Sequence, residues 1–452
     1  MAPPSSAASR TQPTRAGFGA QSGTRRIILA TVGTQGDLHP FIAIGKALQS
    51  RGFVPILAVA DDQVGKCRRA GLDAVSILPG FEVTAKHMGL SHEDAVRRIM
   101  GNQRVMLEQV LLRDLSTCAA ALDSASTDVA AIVASIFVIA APIVAEKRDV
   151  PLVSVILQPM AMLSAFDAPR TPDFWMMLHH PVGAVSARWN RAAYATLRWL
   201  LDRLYGRRID RVRAEHGLPP AGARNLLDPP KHARLRLGCY SAQLAQLPPD
   251  AAAATRIVGF PLFDSESGAP EMLEPTVKEF LAAGAPPLIF TLGTFAVDGA
   301  GSFYETAAQI ARHMGMRAIL LVGGTEPVGV HADVLRIGYA PHSLLFSRSA
   351  AIVHHGGVGT TGQALRAGRP QLIVPHMGDQ HDHAHRIMRL GAGLRLHRRR
   401  FTLSRAAKLI ETLLSEPSYR FVAERIARDM TEEHGAEAAA DAIIRAIGEP
   451  RA

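Results

Sequence analysis

The chain contains 452 residues, of which 48% are hydrophobic, and its formal net charge is +10. This length exceeds one ordinary hydrophobic core and predicts two domains, while three widely spaced cysteines argue against a disulfide framework and a structural zinc site. The cationic excess is mostly scattered arginine, which favours anionic small molecules or acidic lipid surfaces over nucleic acid, and a reducing cytoplasm is the simplest compartment.

The N-terminal segment, residues 1–24, is rich in Ser, Ala, Pro and Arg and contains neither an acidic residue nor a long apolar stretch. We expect a disordered tail rather than a secretory signal, with a transit peptide as the open alternative.

The first folded units are predicted to be a strand, a glycine loop and a helix. An apolar run at 26–32 ends in the loop 33–37, and Pro40 lies near the first turn of a helical pattern that stops at Gly52. A second strand at 54–60 follows directly. This βαβ order predicts a parallel sheet with the loop at the carboxyl ends of its strands, where ligands bind.

More α/β units follow in the first half of the chain. The pattern predicts strands at 74–78, 129–134 and 152–156, a mostly helical stretch at 87–121 and a helix ending near residue 148. The apolar run 129–145 barely reaches the ~17 residues that a membrane span needs, and Ser135 and Pro142 interrupt it. We therefore expect a buried strand followed by a buried helix.

Residues 159–230 have a different composition. Aromatic, Met and Pro clusters precede an arginine-rich segment, 188–213, in which apolar residues recur at helical spacing. This helix either packs on one side and is solvated on the other, or lies at a membrane surface or beside an acidic lipid-like acceptor. We interpret the segment as an acceptor-binding insertion and expect Phe166, Phe174 and Trp175 to contact a hydrophobic acceptor.

The second half of the chain repeats the strand-glycine-helix order. Strands are predicted at 288–292, 318–322, 334–337, 351–354 and 371–374, helices at 302–314 and 361–367, a turn at 344–346, and amphipathic helices from 403 onward. The predicted architecture is α/β, with two Rossmann-like domains facing each other across a cleft. The predicted boundaries are 25–245 for the first domain, 246–286 for a linker, 287–425 for the second domain, and 426–452 for C-terminal helices that could pack back on the first.

A glycine turn opens the predicted helix at 361–367. Gly356, Gly357 and Gly359 would let the backbone turn sharply and approach an anion, and Thr360 and Thr361 begin a helix whose free N–H groups favour negative charge. The pattern predicts a diphosphate site, although such a turn can also serve close packing alone.

Two further side chains could assist a departing phosphate oxygen. His355 directly precedes the glycine turn and could donate a hydrogen bond to that oxygen, while Thr294 could approach from the neighbouring strand end.

Motifs in both halves resemble family 1 glycosyltransferases. The signature-like segments are HGGVGTT at 355–361, AGRP at 367–370, VP at 374–375 and GDQ at 378–380. GTQGDLHPF at 33–41 is similar to the acceptor-side loop of the microbial branch, which includes sterol and antibiotic glycosyltransferases. When this loop is taken together with GFPLFD at 259–264 and DQHD at 379–382, the chain most resembles the rhamnolipid rhamnosyltransferases. The resemblance implies a GT-B fold and inversion at the anomeric carbon.

The resemblance implies roles at the donor site. Tyr339 stands where many relatives stack a Trp on the nucleotide base, and His342 where many have Gln. Gln363 replaces a ribose-binding Glu, which leaves room for a deoxyribose donor such as dTDP-rhamnose. Asp379 and Gln380 match the pair that binds sugar hydroxyls. The full donor-binding set is Gly36, Thr294, Tyr339, His342, His355, Gly357, Gly359, Thr360, Gln363, Asp379 and Gln380.

Asp37 occupies the position of the catalytic base in the microbial branch. In an inverting displacement it need only accept the acceptor proton as the new bond forms. A helix-capping role is the alternative, since Asp is favoured at helix starts. His39 is a candidate helper, although a surface histidine near a helix start is the commoner case.

Alternating histidines at 381, 383 and 385 suggest a metal site, but no second ligand cluster accompanies them, and we expect neither a metal nor another cofactor. We read the histidine run as a strand or an irregular loop.

The predicted function is inverting glycosyl transfer from a nucleotide sugar, with dTDP-rhamnose favoured, to a hydroxyl of a hydrophobic small-molecule or lipid acceptor. The alternatives are UDP-glucose-dependent glucosylation of a sterol, carotenoid or polyketide, nucleotide-sugar 2-epimerisation, and non-catalytic activation of another transferase. A cytoplasmic location is expected, with peripheral contact with the inner face of the membrane left open.

Overall fold

Two separate sheets organise the chain, as the computed structural model shows. It describes residues 25–179, 183–228, 233–265, 272–294, 296–324, 329–331 and 333–448. The predicted tail at 1–24 lies outside the described residues.

The first sheet has seven parallel strands in the order β3-β2-β1-β4-β5-β6-β7. Its strands are β1 (Arg26–Ala30), β2 (Val54–Ala60), β3 (Asp73–Leu78), β4 (Ala131–Ser135), β5 (Leu152–Ile156), β6 (Ala233–Gly238) and β7 (Thr255–Ile257). The helices that accompany it are α1 (Gln35–Gln49), α2 (Asp61–Arg69), α3 (Phe81–His87), α4 (His92–Gly101), α5 (Gln103–Val105), α6 (Leu115–Ala125), α7 (Ala140–Arg148) and α8 (Ala184–Glu215).

Strand β1 is buried on both faces of this sheet. Ile27 and Leu29 pack in the core that contains the apolar face of α1, whereas Ile28 and Ala30 pack in the core that contains α6 and α7. A near-continuous apolar run is what a parallel strand covered on both sides requires. The same logic explains residues 129–145, which form the buried strand β4 and the buried start of α7, as predicted.

The second sheet also has seven strands, in the order β10-β11-β9-β8-β12-β13-β14, and only its edge strand β10 is antiparallel. Its strands are β8 (Leu288–Thr291), β9 (Ala318–Leu321), β10 (Gly329–His331), β11 (Val334–Ile337), β12 (Ala351–His354), β13 (Gln371–Ile373) and β14 (Gly393–Arg395). The remaining helices are α9 (Pro275–Ala282), α10 (Phe303–His313), α11 (His342–Leu345), α12 (Val358–Arg366), α13 (Asp379–Leu390), α14 (Leu403–Ser415), α15 (Pro417–Asp429) and α16 (Gly435–Gly448). The predicted pair of Rossmann-like domains is confirmed.

Two local predictions were wrong. Helix α13 covers the histidine run that we read as a strand or loop, and its buried residues include the polar Gln380, His381, Asp382, His383 and Arg386. Helix α1 begins at Gln35, so Pro40 lies beyond its first turn. The stretch predicted as a linker, 246–286, includes the strand β7 and the helix α9.

The last helix packs on the first sheet's side of the molecule. Nε of Arg51 on α1 donates to Oδ1 of Asp441 on α16 at 2.6 Å, and a guanidinium nitrogen of Arg234 on β6 donates to the carbonyl of Ala446 at 3.1 Å. The chain therefore returns to the first domain after completing the second, while the predicted residue boundaries between domains stay a prediction. Within the described ranges, none of the helices combines the length and the apolar character needed to cross a bilayer.

Candidate active site

Asp37 lies in the first turn of α1, at the carboxyl end of β1. Its Oδ2 accepts a hydrogen bond from the backbone N–H of Thr34 at 2.9 Å and another from the Thr34 hydroxyl at 3.3 Å. Gly33, with φ of +130°, has no side chain where this carboxylate folds back, and a β-carbon there would overlap Oδ2. Thr34, rather than Asp37, is the residue that precedes the helix.

The carboxyl group of Asp37 is more basic than an ordinary aspartate. Burial and, to a smaller extent, the nearby carboxylate of Asp379 raise its pKa, while the hydrogen bonds from Thr34 and Gln158 lower it, and together they bring the pKa to about 6. A side chain that titrates near pH 6 is a competent general base at neutral pH. Asp37 is therefore a stronger base at neutral pH than an aspartate with its usual pKa of 3.8.

Gln158 is a site residue that sequence reasoning missed. Its Nε2 donates to Oδ1 of Asp37 at 3.4 Å, and only 7% of Gln158 is exposed. It follows β5, and the carboxyl ends of parallel strands meet at one edge of a sheet. Its position just after a buried strand was the signal that could have identified it.

The donor side is built on the turn between β12 and α12. Gly356 adopts a φ of +93°, and a β-carbon there would lie 2.8 Å from the side chain of Ile373. Gly357 precedes the first helical residue, so the unpaired N–H groups of the first turn, including those of Gly359 and Thr360, lie at the start of the helix. Helix α12 thus begins three residues before the predicted 361, and its N-terminus suits an anion.

His355 is enclosed by glycines at this turn. A β-carbon on Gly293 would lie 2.6 Å from Cε1 of His355, and one on Gly357 would overlap its Nε2. Its Nδ1 is buried without a hydrogen-bond partner among the described residues. Burial, together with neighbouring histidines, holds the pKa of His355 well below its usual value, so the ring is neutral. A neutral ring can donate one N–H to a phosphate oxygen.

The acceptor side and the donor side meet at the starts of α1 and α12. A β-carbon on Gly359 would lie 3.9 Å from Cα of Gly36. Because the two helix N-termini converge, Asp37 and the glycine turn border one space. The structure therefore brings the predicted base next to the predicted diphosphate site.

Asp379 and Gln380 form the first turn of α13. Burial raises the pKa of Asp379, and His383 opposes that rise, with its Nδ1 3.7 Å from Oδ2 of Asp379. Oε1 of Gln380 accepts hydrogen bonds from the backbone N–H groups of His376 at 2.8 Å and Met377 at 3.2 Å. The carbonyl of the Gln380 amide thus orders the loop ahead of α13, and its binding of a sugar stays a prediction.

Tyr339 and His342 lie on one side of the second domain. The Tyr339 hydroxyl donates to Oδ1 of Asp264 at 3.0 Å, and Oδ2 of Asp264 accepts from the backbone N–H of Ser343. The rings of Tyr339 and His342 are 6.3 Å apart, edge to face, and the His342 ring is 4.4 Å from that of Phe346. Asp264 is a second residue that sequence reasoning missed, and it fixes the predicted base-stacking tyrosine.

Three other predicted residues have differing environments. Thr294 is exposed directly after Gly293, whereas Gln363 is 8% exposed on α12. The ring of His39 packs edge to face on Phe263 at 5.5 Å. Their predicted roles remain predictions.

Residues 165–178, in the first part of the predicted acceptor-binding segment, pack on α8. Asn190 of α8 donates through Nδ2 to the carbonyls of Ala165 and Leu178, and the Tyr194 ring packs against Phe174 at 6.4 Å. Phe166 lies under the guanidinium of Arg191 at 5.3 Å. The third candidate, Trp175, is 80% exposed.

A buried ion-pair network joins this segment to the second domain. Arg386 on α13 donates to Oδ2 of Asp382 at 2.6 Å and to Oδ2 of Asp167 at 2.7 Å. Oδ1 of Asp382 accepts from the backbone N–H of Arg170 at 3.1 Å. The helix that carries Asp379 and Gln380 therefore also fixes the acceptor segment, a link that no sequence motif indicated.

The histidine run is dispersed by the geometry of α13. His383 contacts the carbonyl of Gly356 through Nδ1 at 2.8 Å, whereas His381 and His385 contact Arg395. In the described part of the chain, no cluster of three or more His, Cys, Asp or Glu side chains is suited to hold a metal ion.

Two family models match the two halves of the chain. The model of the glycosyltransferase family 28 N-terminal domain matches residues 27–165, which include Asp37 and Gln158. The model described as erythromycin biosynthesis protein CIII-like, C-terminal domain, matches residues 324–444, which include the glycine turn and the start of α13.

Curated and solved proteins resemble the chain over nearly its whole length. O-mycaminosyltylonolide 6-deoxyallosyltransferase of Streptomyces fradiae is 28% identical over 91% of this chain and 95% of its own length. The crystal structure of the glycosyltransferase VinC in complex with dTDP superposes with a TM-score of 0.67 at 20% identity, covering 93% of this chain and 99% of that one. The spinosyn rhamnosyltransferase SpnG gives a TM-score of 0.59 at 17% identity, covering 93% and 100%. These structural neighbours have the same two-domain fold.

Proposed function

We propose that this chain, a glycosyltransferase with the GT-B fold, transfers a 6-deoxyhexose from a thymidine diphosphate sugar, with dTDP-rhamnose favoured, to a hydroxyl of a hydrophobic, lipid-like acceptor. The observation that carries this proposal is the position of Asp37, with its raised pKa, beside the anion-suited start of α12.

In the proposed reaction, Asp37 accepts the proton of the acceptor hydroxyl as that oxygen bonds to the anomeric carbon. The bond between the anomeric carbon and the diphosphate oxygen breaks at the same time, and the configuration inverts. Gln158 would act as a positioning residue, because its Nε2 donates to the carboxylate oxygen that Thr34 does not hold. Asp37 keeps this proton until solvent removes it.

The leaving diphosphate would be held without a metal ion. The free N–H groups at the start of α12 and the helix dipole favour negative charge there. His355 is neutral and has a buried ring nitrogen with no hydrogen-bond partner among the described residues, so it can donate to the departing oxygen. Donors fixed before the reaction stabilise developing charge without reorganisation.

The choice of donor is supported by relatives and by one residue of this chain. The Streptomyces fradiae relative is named for 6-deoxyallosyl transfer, SpnG for rhamnosyl transfer, and VinC was solved with dTDP. Gln363 stands where a ribose-binding Glu is common in uridine-nucleotide enzymes. The two relatives' names favour a 6-deoxyhexose, and the dTDP complex and Gln363 favour a deoxyribose nucleotide.

The proposed acceptor is apolar, and we further propose that α8 meets an anionic lipid surface. The buried face of α8 includes Tyr194, Ile209 and Val212. Other positions of α8 expose apolar side chains among exposed arginines, and these are Val185, Trp189, Trp199, Leu200 and Leu204 with Arg188, Arg203, Arg207, Arg208 and Arg211. Exposed aromatic residues and arginines on one helix suit the boundary of an anionic bilayer.

Vesicle flotation tests this surface. The protein is expected to float with vesicles containing phosphatidylglycerol and to remain unbound with phosphatidylcholine alone. Replacing Trp189 and Trp199 with serine should abolish flotation, whereas Phe421→Ser, at another exposed apolar side chain, should not. Equal flotation of all three proteins would contradict the surface.

A donor and acceptor panel followed by mass spectrometry tests the reaction. We expect transfer from dTDP-rhamnose to a hydroxy fatty acid ester at a rate at least tenfold above that from UDP-glucose to a sterol or a polyketide. Preference for UDP-glucose would overturn the donor assignment. Epimerised sugar formed without any acceptor would favour nucleotide-sugar 2-epimerisation instead.

A further inference from the structure

A basic cavity lies beside α13, where His381 and His385 of that helix line it. It has a volume of about 250 Å³ and lies between the acceptor segment and the second domain. The first domain contributes Arg170, Thr171, Pro172 and His179, and the second contributes His381, His385 and Arg395. A second basic cavity of about 510 Å³ shares Arg395 and is also lined by Leu396, His397, Arg399 and Arg400.

Arg395 is a half-buried cation that no described carboxylate neutralises. Its guanidinium nitrogens donate to Nε2 of His385 at 3.0 Å and to Nδ1 of His381 at 3.2 Å. Its Nε is buried without a hydrogen-bond partner among the described residues. Buried charges in proteins are normally paired, so Arg395 lacks the anion that its environment calls for.

Thr171 gives an independent indication on the opposite wall. It is 7% exposed, and its hydroxyl is buried without a partner in the described part of the chain. A buried hydroxyl without a hydrogen bond is costly, and it is satisfied when a ligand accepts its proton. Thr171 and Arg395, one from each domain, therefore each hold an unused donor in the wall of one cavity.

We propose that this cavity binds a phosphate group, either as free inorganic phosphate or as a phosphate monoester. Arg395 and Arg170 supply the positive charge, and the Thr171 hydroxyl donates a hydrogen bond. The guanidinium of arginine is the side chain best suited to phosphate oxygens. Since both domains line the cavity, the bound phosphate would hold the acceptor segment against α13.

The two cavity histidines would respond to the bound anion. Burial and neighbouring cations, Arg395 first among them, lower the pKa of His381 and of His385 to about 4, so both rings are neutral at pH 7. The groups that act on them are Arg170, Arg395, His179, His376, His397 and Asp382, of which only Asp382 raises a pKa. A phosphate would raise both values, so a bound phosphate should favour protonation of these rings as the pH falls towards their pKa.

Isothermal titration calorimetry with inorganic phosphate, on full-length protein saturated with dTDP, tests the proposal. Saturation leaves the donor site unable to contribute. We expect one phosphate per chain, tenfold weaker binding for Arg395→Gln, and at least threefold weaker binding for the near-isosteric Thr171→Val. Arg405→Gln, at an exposed arginine on α14, should bind as the unaltered chain does.

Glycerol 1-phosphate in a parallel titration separates the two sources. Tighter binding than that of inorganic phosphate would indicate a monoester ligand, and equal or weaker binding would indicate the free ion. Absence of phosphate binding to the dTDP-saturated protein, or unchanged affinity in both Arg395→Gln and Thr171→Val, would overturn the site. Thr171→Val keeps the test valid if Arg395→Gln does not fold.

Discussion

Gly36 of the first domain and Gly359 of the second face each other so closely that a β-carbon on Gly359 would lie 3.9 Å from Cα of Gly36. The space between them is where the diphosphate is proposed to meet the first N–H groups of α12. A methyl group fits this space when it is empty, but it would occupy volume that the donor needs.

Gly359→Ala should therefore separate stability from donor binding. The free energy of unfolding should stay constant or rise by up to about 1 kcal/mol, because alanine favours a helix over glycine. The donor KM should rise at least tenfold in steady-state kinetics. Gly65→Ala on α2, where the nearest atom to the added carbon belongs to a flexible arginine side chain, should leave KM constant. A KM for Gly359→Ala within twofold of the original contradicts the proposed diphosphate position.

Gly33→Ala should displace the proposed base. An alanine at a φ of +130° is strained, and its β-carbon would overlap Oδ2 of Asp37. We expect a loss of at least 100-fold in kcat/KM. Gly71→Ala, at a φ of +80° with no atom within 4 Å of the added carbon, should lose about 1–2 kcal/mol of stability for the backbone conformation alone and keep its turnover. Equal kinetic losses in the two variants would point to general destabilisation instead.

The pH dependence of stability should report on Asp37. Its pKa is about 6 in the folded chain, raised from 3.8. As the pH rises from about 4 to above 6, ionisation of Asp37 therefore lowers the free energy of unfolding. Asp37→Asn removes that penalty while keeping an oxygen for Thr34. Chemical denaturation at pH 8 should show the variant more stable by up to about 3 kcal/mol, with the difference shrinking below pH 4. The raised pKa would be contradicted if Asp37→Asn, compared with the unaltered chain, were less stable at pH 8 than at pH 4.

His355→Ala should weaken stabilisation of the leaving diphosphate. Removing one preorganised donor costs about 100- to 1,000-fold in turnover at comparable sites, and we expect a kcat loss in that range. His313→Ala, at an exposed position on α10, is the matched control and should be unchanged. Turnover of His355→Ala within threefold of the original would remove His355 from the chemistry.

The sequence predicted those parts of the molecule that short-range patterns determine. Apolar runs bounded by glycines predicted the parallel strands of the two sheets, because a strand buried on both faces must be apolar throughout. The glycine turn at 356–359 predicted an anion-suited helix start, because glycine and a free helix N-terminus leave a clear local pattern. The α/β architecture and the edge where Asp37 and His355 lie were therefore accessible.

Contacts between distant segments were not predictable in the same way. Gln158 lies 121 residues from Asp37 and Arg386 lies 219 from Asp167 along the chain, and no periodic pattern encodes such pairs. Helix α13 was misread because its buried residues include polar and charged ones, His381, Asp382 and His383 among them, rather than an apolar stripe. The raised pKa of Asp37 depends on burial and on Asp379 of the other domain, and a single-chain pattern contains neither.

Turnover of Asp37→Asn, measured with dTDP-rhamnose and a hydroxy fatty acid ester, tests the central claim most directly. If Asp37 is the base, kcat/KM of the unaltered chain rises with pH to a plateau with a midpoint near pH 6, as Asp37 loses its proton. Asp37→Asn should then lose at least 100-fold in kcat at pH 8, while its dissociation constant for dTDP stays within twofold. Turnover by Asp37→Asn at the original rate would contradict the assignment of Asp37 as the base.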